Sequence, residues 1–269
     1  RGRRETMGKY VETVCREIGG VPDLCSEPDR NYVGGRTPTI LPMGAVGRIM
    51  DTSRRRYRLH VSSEVTMEAN PGTLEEERLK EYRQAGVNRI SMGVQSLDDQ
   101  VLLKSGRVHR AQEVFDGFKM LRCAGFQNIN LDLIVGLPGS DGKSMTDTMK
   151  KAIAMKPEHI SLYALILEEG TAFFREMEAG RLILPEEEAA LGMQRASISL
   201  MESAGYERYE ISNFSRPGYE CRHNLHIWNG YEYISAGLGA SSAQYGQEVM
   251  LLRIRNKREL HRYLVKVKK

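Results

Sequence analysis

Strand-like runs that alternate with helical stretches constrain the fold of this chain most. Candidate strands are Tyr32-Val33, Glu64 to Ala69, Asn88 to Val94, Asn128 to Val135 and His159 to Ile166. Candidate helices are Thr73 to Ala85, Ala111 to Ala124, Lys143 to Met155 and Glu186 to Ala204. Alternation at this pitch predicts βαβ units and a parallel sheet, an α/β fold. The first of these helices carries start chemistry: Pro71-Gly72-Thr73, then Glu75, Glu76 and Glu77, whose charges suit a helix amino terminus. Gly86 and Gly125 each follow an alanine, where a left-handed carboxyl-terminal cap belongs.

Side-chain parity narrows the fold further, because successive residues of a strand face opposite sides of the sheet. In Ile90-Ser91-Met92-Gly93-Val94-Gln95 the even positions are bulky and apolar, the odd ones small or polar. Asn128, Asn130 and Asp132 share one face of their strand, and Thr66 and Glu68 share one face of theirs. The bulky face belongs under helices. An ordinary closed barrel fills its inner face with branched apolar side chains. Here that face is polar on three strands, which predicts a lumen holding a polar ligand; the competing reading is a sheet face wetted by solvent. The last polar residue of each strand, Glu68, Gln95 and Asp132, falls near the carboxyl end, where such sheets place their sites.

Composition sets the class. The 269 residues are 41% hydrophobic and 28% charged, which excludes a disordered chain. No apolar run reaches the ~18 residues of a membrane span. Thirty-nine basic against 35 acidic residues leave +4, a weak pull on any polyanion. Basic residues cluster at Arg54, Arg55 and Arg56, where no aromatics interleave, and in the tail from Arg253 to Lys269; solvated surface and an unstructured end explain them better than nucleic-acid binding. Cys15, Cys25, Cys123 and Cys221 show neither metal-ligand spacing nor a disulfide rhythm, which fits a reducing compartment, the cytoplasm or an organellar matrix. The start, Arg1 to Tyr10, has charge but no apolar core of a secretory signal.

Four local motifs have chemistry to weigh. Val33-Gly34-Gly35-Arg36-Thr37-Pro38 follows a short strand, as a tight turn or as amides offered to an anion. Gly136 to Ser144 resembles a phosphate-binding loop but has Leu137 where that motif needs its first glycine. Cys221, His223 and His226 could ligate a metal or heme iron, or form a buried polar network. Ala236 to Ser242 is glycine-rich but lacks the third glycine of a dinucleotide fingerprint.

The ordered strings Gly34-Gly35-Arg36-Thr37-Pro38, Glu68-Ala69-Asn70-Pro71-Gly72-Thr73, Gly86 to Ser96, Gly106-Arg107-Val108-His109, Asp132 to Pro138, Tyr209 to Phe214 and His223-Asn224 resemble one family. It is the coproporphyrinogen III oxidase-like branch of the radical S-adenosylmethionine (SAM) proteins, and within it the HemW-type heme chaperones. The resemblance implies a partial (β/α) TIM-like barrel over residues 1–245 and the start of a truncated carboxyl-terminal region over 246–269. It implies that Gly35, Arg36 and Thr37 meet the amino end of SAM, that Glu68, Gln95, Arg107 and Asp132 bind the rest, and that His223 contacts heme. It also implies a 4Fe-4S cluster held by a CxxxCxxC loop, which this sequence lacks, so no cluster ligands are expected in it. Arg36 stands where the family's loop has a third glycine, and Ile227 where its HNxxYW stretch has tyrosine. The implied function is heme binding and transfer, with heme or a porphyrin as ligand and a heme-accepting protein as partner. The alternative is an oxidoreductase that decarboxylates coproporphyrinogen III.

Overall fold

The computed structural model describes residues 2–20, 28–35, 37–245, 251–257 and 259–266. In chain order its elements are α1 (Gly2–Gly20), β1 (Arg30–Val33), α2 (Ala45–Tyr57), β2 (Glu64–Ala69), α3 (Glu76–Gln84), β3 (Arg89–Gln95), α4 (Asp99–Lys104), α5 (Ala111–Cys123), β4 (Asn128–Val135) and α6 (Gly142–Ala154). There follow β5 (His159–Ala164), α7 (Ala172–Glu178), α8 (Glu187–Ser203), β6 (Glu207–Arg208), β7 (Asn213–Ser215), α9 (Arg222–Trp228), β8 (Ser241–Tyr245), β9 (Leu251–Arg255) and α10 (Leu260–Lys266). Seven strands run in the order β1-β2-β3-β4-β5-β7-β6, mostly parallel, as in a partial TIM-like barrel. Two compact units divide the chain: Arg1–Met67 with Glu75–Asn88 and Cys221–Lys269, and Glu68–Leu74 with Arg89–Glu220.

In the first unit, β1 pairs in parallel with β2, from Arg30 opposite Glu64 to Val33 opposite Met67. Helix α1 buries Val11, Val14 and Ile18, one stripe at helical spacing, and α2 buries Val46, Met50 and Ser53 in the same way. Val14 and Ile18 pack with Tyr263 of α10, Ile49 and Tyr57. One carboxylate fastens these parts: Glu17 accepts from the Tyr263 hydroxyl at 2.5 Å, the Asn256 amide at 2.6 Å and the Gly237 backbone N–H at 2.8 Å.

In the second unit β3, β4 and β5 are parallel, with Gly93 opposite Asp132 and Asn130 opposite His159. β7 then adds antiparallel to β5, with Ser161 opposite Asn213, and β6 pairs with β7. Ile90, Met92, Val94, Ile129, Leu131, Leu133, Ile160 and Leu162 are buried along the apolar face. Helix α5 offers Val114, Phe118 and Leu121 on one stripe, and α6 offers Met145, Met149 and Ala152. Gly117 lets α5 come close: a methyl there would stand 3.1 Å from Leu74 Cδ1 and 3.7 Å from Met92 Sδ.

The strand readings hold for β2 and β4 at both ends. Other boundaries shift by one to three residues, two of them for a visible reason. The helix read from Thr73 begins at Glu76, because Pro71–Thr73 closes a 3-10 turn in which Asn70 C=O accepts from both the N–H and the hydroxyl of Thr73. The strand read to Ile166 stops at Ala164, whose partner Val135 is the last residue of β4. Gly86 and Gly125 take the left-handed conformation expected of them, at φ 83° and 86°.

Candidate functional site

The polar face of the second unit is one hydrogen-bonded surface. Ser91 Oγ donates to Asp132 Oδ2 at 3.0 Å. The Asn130 amide donates to Ser91 Oγ at 2.7 Å and to Asp132 Oδ1 at 2.8 Å. Asn130 Oδ1 lies 2.6 Å from His159 Nδ1 and 3.1 Å from Ser161 Oγ. His159 Nε2 lies 2.7 Å from the Tyr209 hydroxyl, and Ser161 Oγ is 2.6 Å from Asn213 Oδ1. Glu210 accepts from the Asn213 side chain and from Ser212 N–H, closing the far edge. Ser91, Asn130, His159, Ser161 and Asn213 are buried yet hydrogen-bonded, as the desolvation cost of a polar interior demands.

Asp132 is half-buried near the carboxyl end of β4. Burial pushes its carboxyl above the usual carboxylate range, while Ser91, Asn130, the charge of Arg89 and Ser161 pull the other way. Gln95 ends β3 at φ 62°, where the ladder with β4 slips between Gly93 and Gln95. A left-handed glutamine inside an irregular strand end is strained, and such strain concentrates at functional sites. Its Oε1 is buried, and no described residue supplies it with a donor. Gly93 makes room for that amide: a methyl there would stand 3.0 Å from both Gln95 Nε2 and Asn70 Oδ1. The same methyl would lie 3.7 Å from Ala69 C=O, so the end of β2, with half-buried Glu68, runs beside Gln95. His109 Nε2 bonds Val94 C=O at 3.1 Å, which ties the loop carrying exposed Arg107 to the same strand end.

Glu68, Gln95 and Asp132 therefore stand near the carboxyl ends of β2, β3 and β4, and Arg107 two residues before His109. Gly35 (φ 96°) and Thr37 lie in the first unit; Arg36 is outside the described residues. Parity on β2, β3 and β4 marked Glu68, Gln95 and Asp132 in the sequence. Sequence reasoning missed His159 and Ser161, although they repeat the same period-2 pattern on β5, and it missed Glu64, which shares parity with Thr66 and Glu68.

Glu64 matters in the first unit. Its carboxylate lies 3.2 and 3.3 Å from the backbone N–H groups of Arg222 and His223 and 3.5 Å from Cys221 Sγ, at the amino end of α9. The His223 ring stacks on Tyr32 with centroids 4.5 Å apart. Both line a cavity of about 1160 Å³, with Tyr10, Tyr57, Tyr231, Gly35 and Thr37 also on its wall. His226 Nε2 must donate to Glu232 C=O, 2.6 Å away, because a carbonyl only accepts. Among the described residues no three His, Cys, Asp or Glu side chains are grouped to hold a metal ion. The reading of Cys221, His223 and His226 as a joint ligand set is thereby corrected: Cys221 and His226 face partners of their own.

Chemically, two carboxylates and an undonated amide carbonyl suit a ligand rich in N–H and O–H donors, such as an ammonium and a ribose. SAM fits that donor set. A 4Fe-4S cluster does not fit the described residues: Cys15 is on α1, Cys123 is exposed at the end of α5, and Cys221 precedes α9. Cys25 lies outside the described residues.

A model of the radical SAM superfamily matches residues 27–152. Heme chaperone HemW of Bacillus subtilis is 39% identical over 239 residues, 88% of this chain and 63% of that protein. Heme chaperone HemW of Escherichia coli is 39% identical over 209 residues, 78% of this chain and 54% of its own length. The chain thus spans somewhat over half the length of the curated relatives it matches. Among solved structures, coproporphyrinogen III oxidase (HemN) from Escherichia coli superposes with a TM-score of 0.79 at 22% identity, over 100% of this chain and 64% of that one, a likeness of fold. Residues 27–152 thus match the radical SAM superfamily, and most of the chain is similar to the HemW-type relatives.

Proposed function

We propose that this chain is the SAM- and heme-binding part of a HemW-type heme chaperone. SAM would sit against Glu68, Gln95 and Asp132, with Arg107 pairing its carboxylate. Heme would enter the cavity that His223 lines. The observation that carries the reading is that cavity: about 1160 Å³, walled by tyrosines and a stacked histidine, in a chain 39% identical to proteins named heme chaperones. Flat aromatic walls suit a large conjugated ring. In the superfamily the cluster supplies the electron chemistry. The residues of this chain bind and orient, and no step is routed through the cluster. A heme-accepting protein is the partner this reading requires. Among the described residues no helix is long and apolar enough to cross a membrane; the cytoplasm or an organellar matrix suits the thiols Cys15, Cys123 and Cys221.

Titration with hemin tests the reading. A Soret band that saturates at one heme per chain, and is lost in His223→Ala, supports it. Decarboxylation of coproporphyrinogen III by the cluster-loaded protein would replace it with the oxidase.

A further inference from the structure

Behind Asp132, the polar face carries a directed chain of hydrogen bonds ending on the carboxylate. An ionised carboxylate only accepts, so the Asn130 amide nitrogen must face Asp132 Oδ1 at 2.8 Å. Its second hydrogen goes to Ser91 Oγ, and Ser91 in turn donates to Asp132 Oδ2. Both carboxylate oxygens are thus held from one side. Asn130 Oδ1 is left as an acceptor, so His159 Nδ1, 2.6 Å away, carries the proton. His159 Nε2 is then the acceptor and Tyr209 O–H the donor, at 2.7 Å. Each link fixes the next. A single imidazole tautomer and a single amide orientation follow without any choice of hydrogen positions.

His159 is fully buried, and Asn130, Ser161 and Ser91 are nearly so. Burial, and then the charge of Arg89 buried on the same face, lower the tendency of the imidazole to take up a second proton and so favour the neutral tautomer. Bonds aligned in one direction in a low-dielectric interior polarise one another toward the terminal acceptor.

We propose that His159, acting through Asn130, is a positioning residue that holds Asp132 in the orientation that receives SAM. The inference rests on Asp132 as a SAM contact. His159 itself touches no ligand. If it did no more than fill space, branched apolar side chains would serve as they do in ordinary barrels.

The test is a double-mutant cycle read by calorimetric titration of SAM, with thermal unfolding followed in parallel. In the native background His159→Phe is expected to weaken SAM about tenfold; in an Asp132→Ala background the same change should weaken it less than about twofold. Equal weakening in both backgrounds would mean a structural role, and no weakening in the native background would mean none; either result overturns the proposal. Tyr209→Phe removes only the outermost hydroxyl and serves if His159→Phe does not fold: a loss of about twofold to fivefold, present in the native background and absent with Asp132→Ala, supports the relay, and its absence refutes it. Unchanged affinity in Asp132→Ala alone would instead remove the site reading and leave the relay without an object.

Discussion

Gln95 concentrates two costs in one residue: a left-handed backbone at φ 62° and a buried carbonyl that no described residue satisfies. Glycine at this position would relieve both. Gln95→Gly is expected to leave stability to urea unchanged or raised by about 1 kcal/mol. SAM affinity should fall about tenfold or more as the acceptor is lost. A variant that lost stability and kept its affinity would show the strain to be structural. His159 gives a second test at this scale. Burial, and then the charge of Arg89, hold its pKa well below the ordinary 6.5. The unfolded chain takes up that proton below about pH 6.5, while the folded protein resists it to much lower pH. The stability His159 contributes is therefore complete above that value and falls as the pH drops below it. Urea midpoints measured from pH 8 to 5 should decline on the acid side, and less steeply in His159→Gln. Period-2 alternation made Glu68, Gln95 and Asp132 legible in the sequence. It also ran through His159 and Ser161, but an initial histidine on a strand reads as core until its partners on β4 and β7 are known.

At the scale of elements, local chemistry settled most of what the sequence showed. β2 and β4 stand where alternation put them, and α5 and α6 fall within a residue of their expected ends. Tertiary context decided the rest. β5 stops where β4 has no more residues to pair, and β6 and β7 are too short for a period to register. Helices α1 and α2 carry narrow apolar stripes among charged residues, and no flanking strand pattern announces α1. Glu64 illustrates the long-range part: a residue at the start of β2 caps a helix more than 150 positions away. Removing it leaves backbone donors of α9 unsatisfied. Glu64→Ala should cost about 1–3 kcal/mol in urea unfolding and weaken the His223-dependent Soret band. An unchanged spectrum with unchanged stability would remove Glu64 from the account of α9.

At the scale of the molecule, β3, β4 and β5 of the second unit each have an apolar face under helices and a polar face on the other side. Adjacent residues of β4 separate the two roles. Leu131 is fully buried on the apolar side, and Leu131→Ala should cost about 2–5 kcal/mol with SAM affinity kept in the fraction that folds. Asp132→Ala should change stability by only about 1 kcal/mol either way, because burial already opposes the charge that its donors favour. Reversed effects on urea unfolding would invert the assignment of faces. The fold was legible because this two-faced alternation recurs on successive strands. The cavity of the first unit was less so: it joins residues from the early loops with the stretch after Cys221, and periodicity carries no information about such a meeting.

The most direct measurement is calorimetric titration of SAM into the protein and into Glu68→Ala and Asp132→Ala, each with its fold verified by circular dichroism. Saturable one-site binding to the unaltered chain, weakened about tenfold or more by each change, is the predicted result. Affinity unchanged in both folded variants would contradict the polar strand-end cradle on which the account stands.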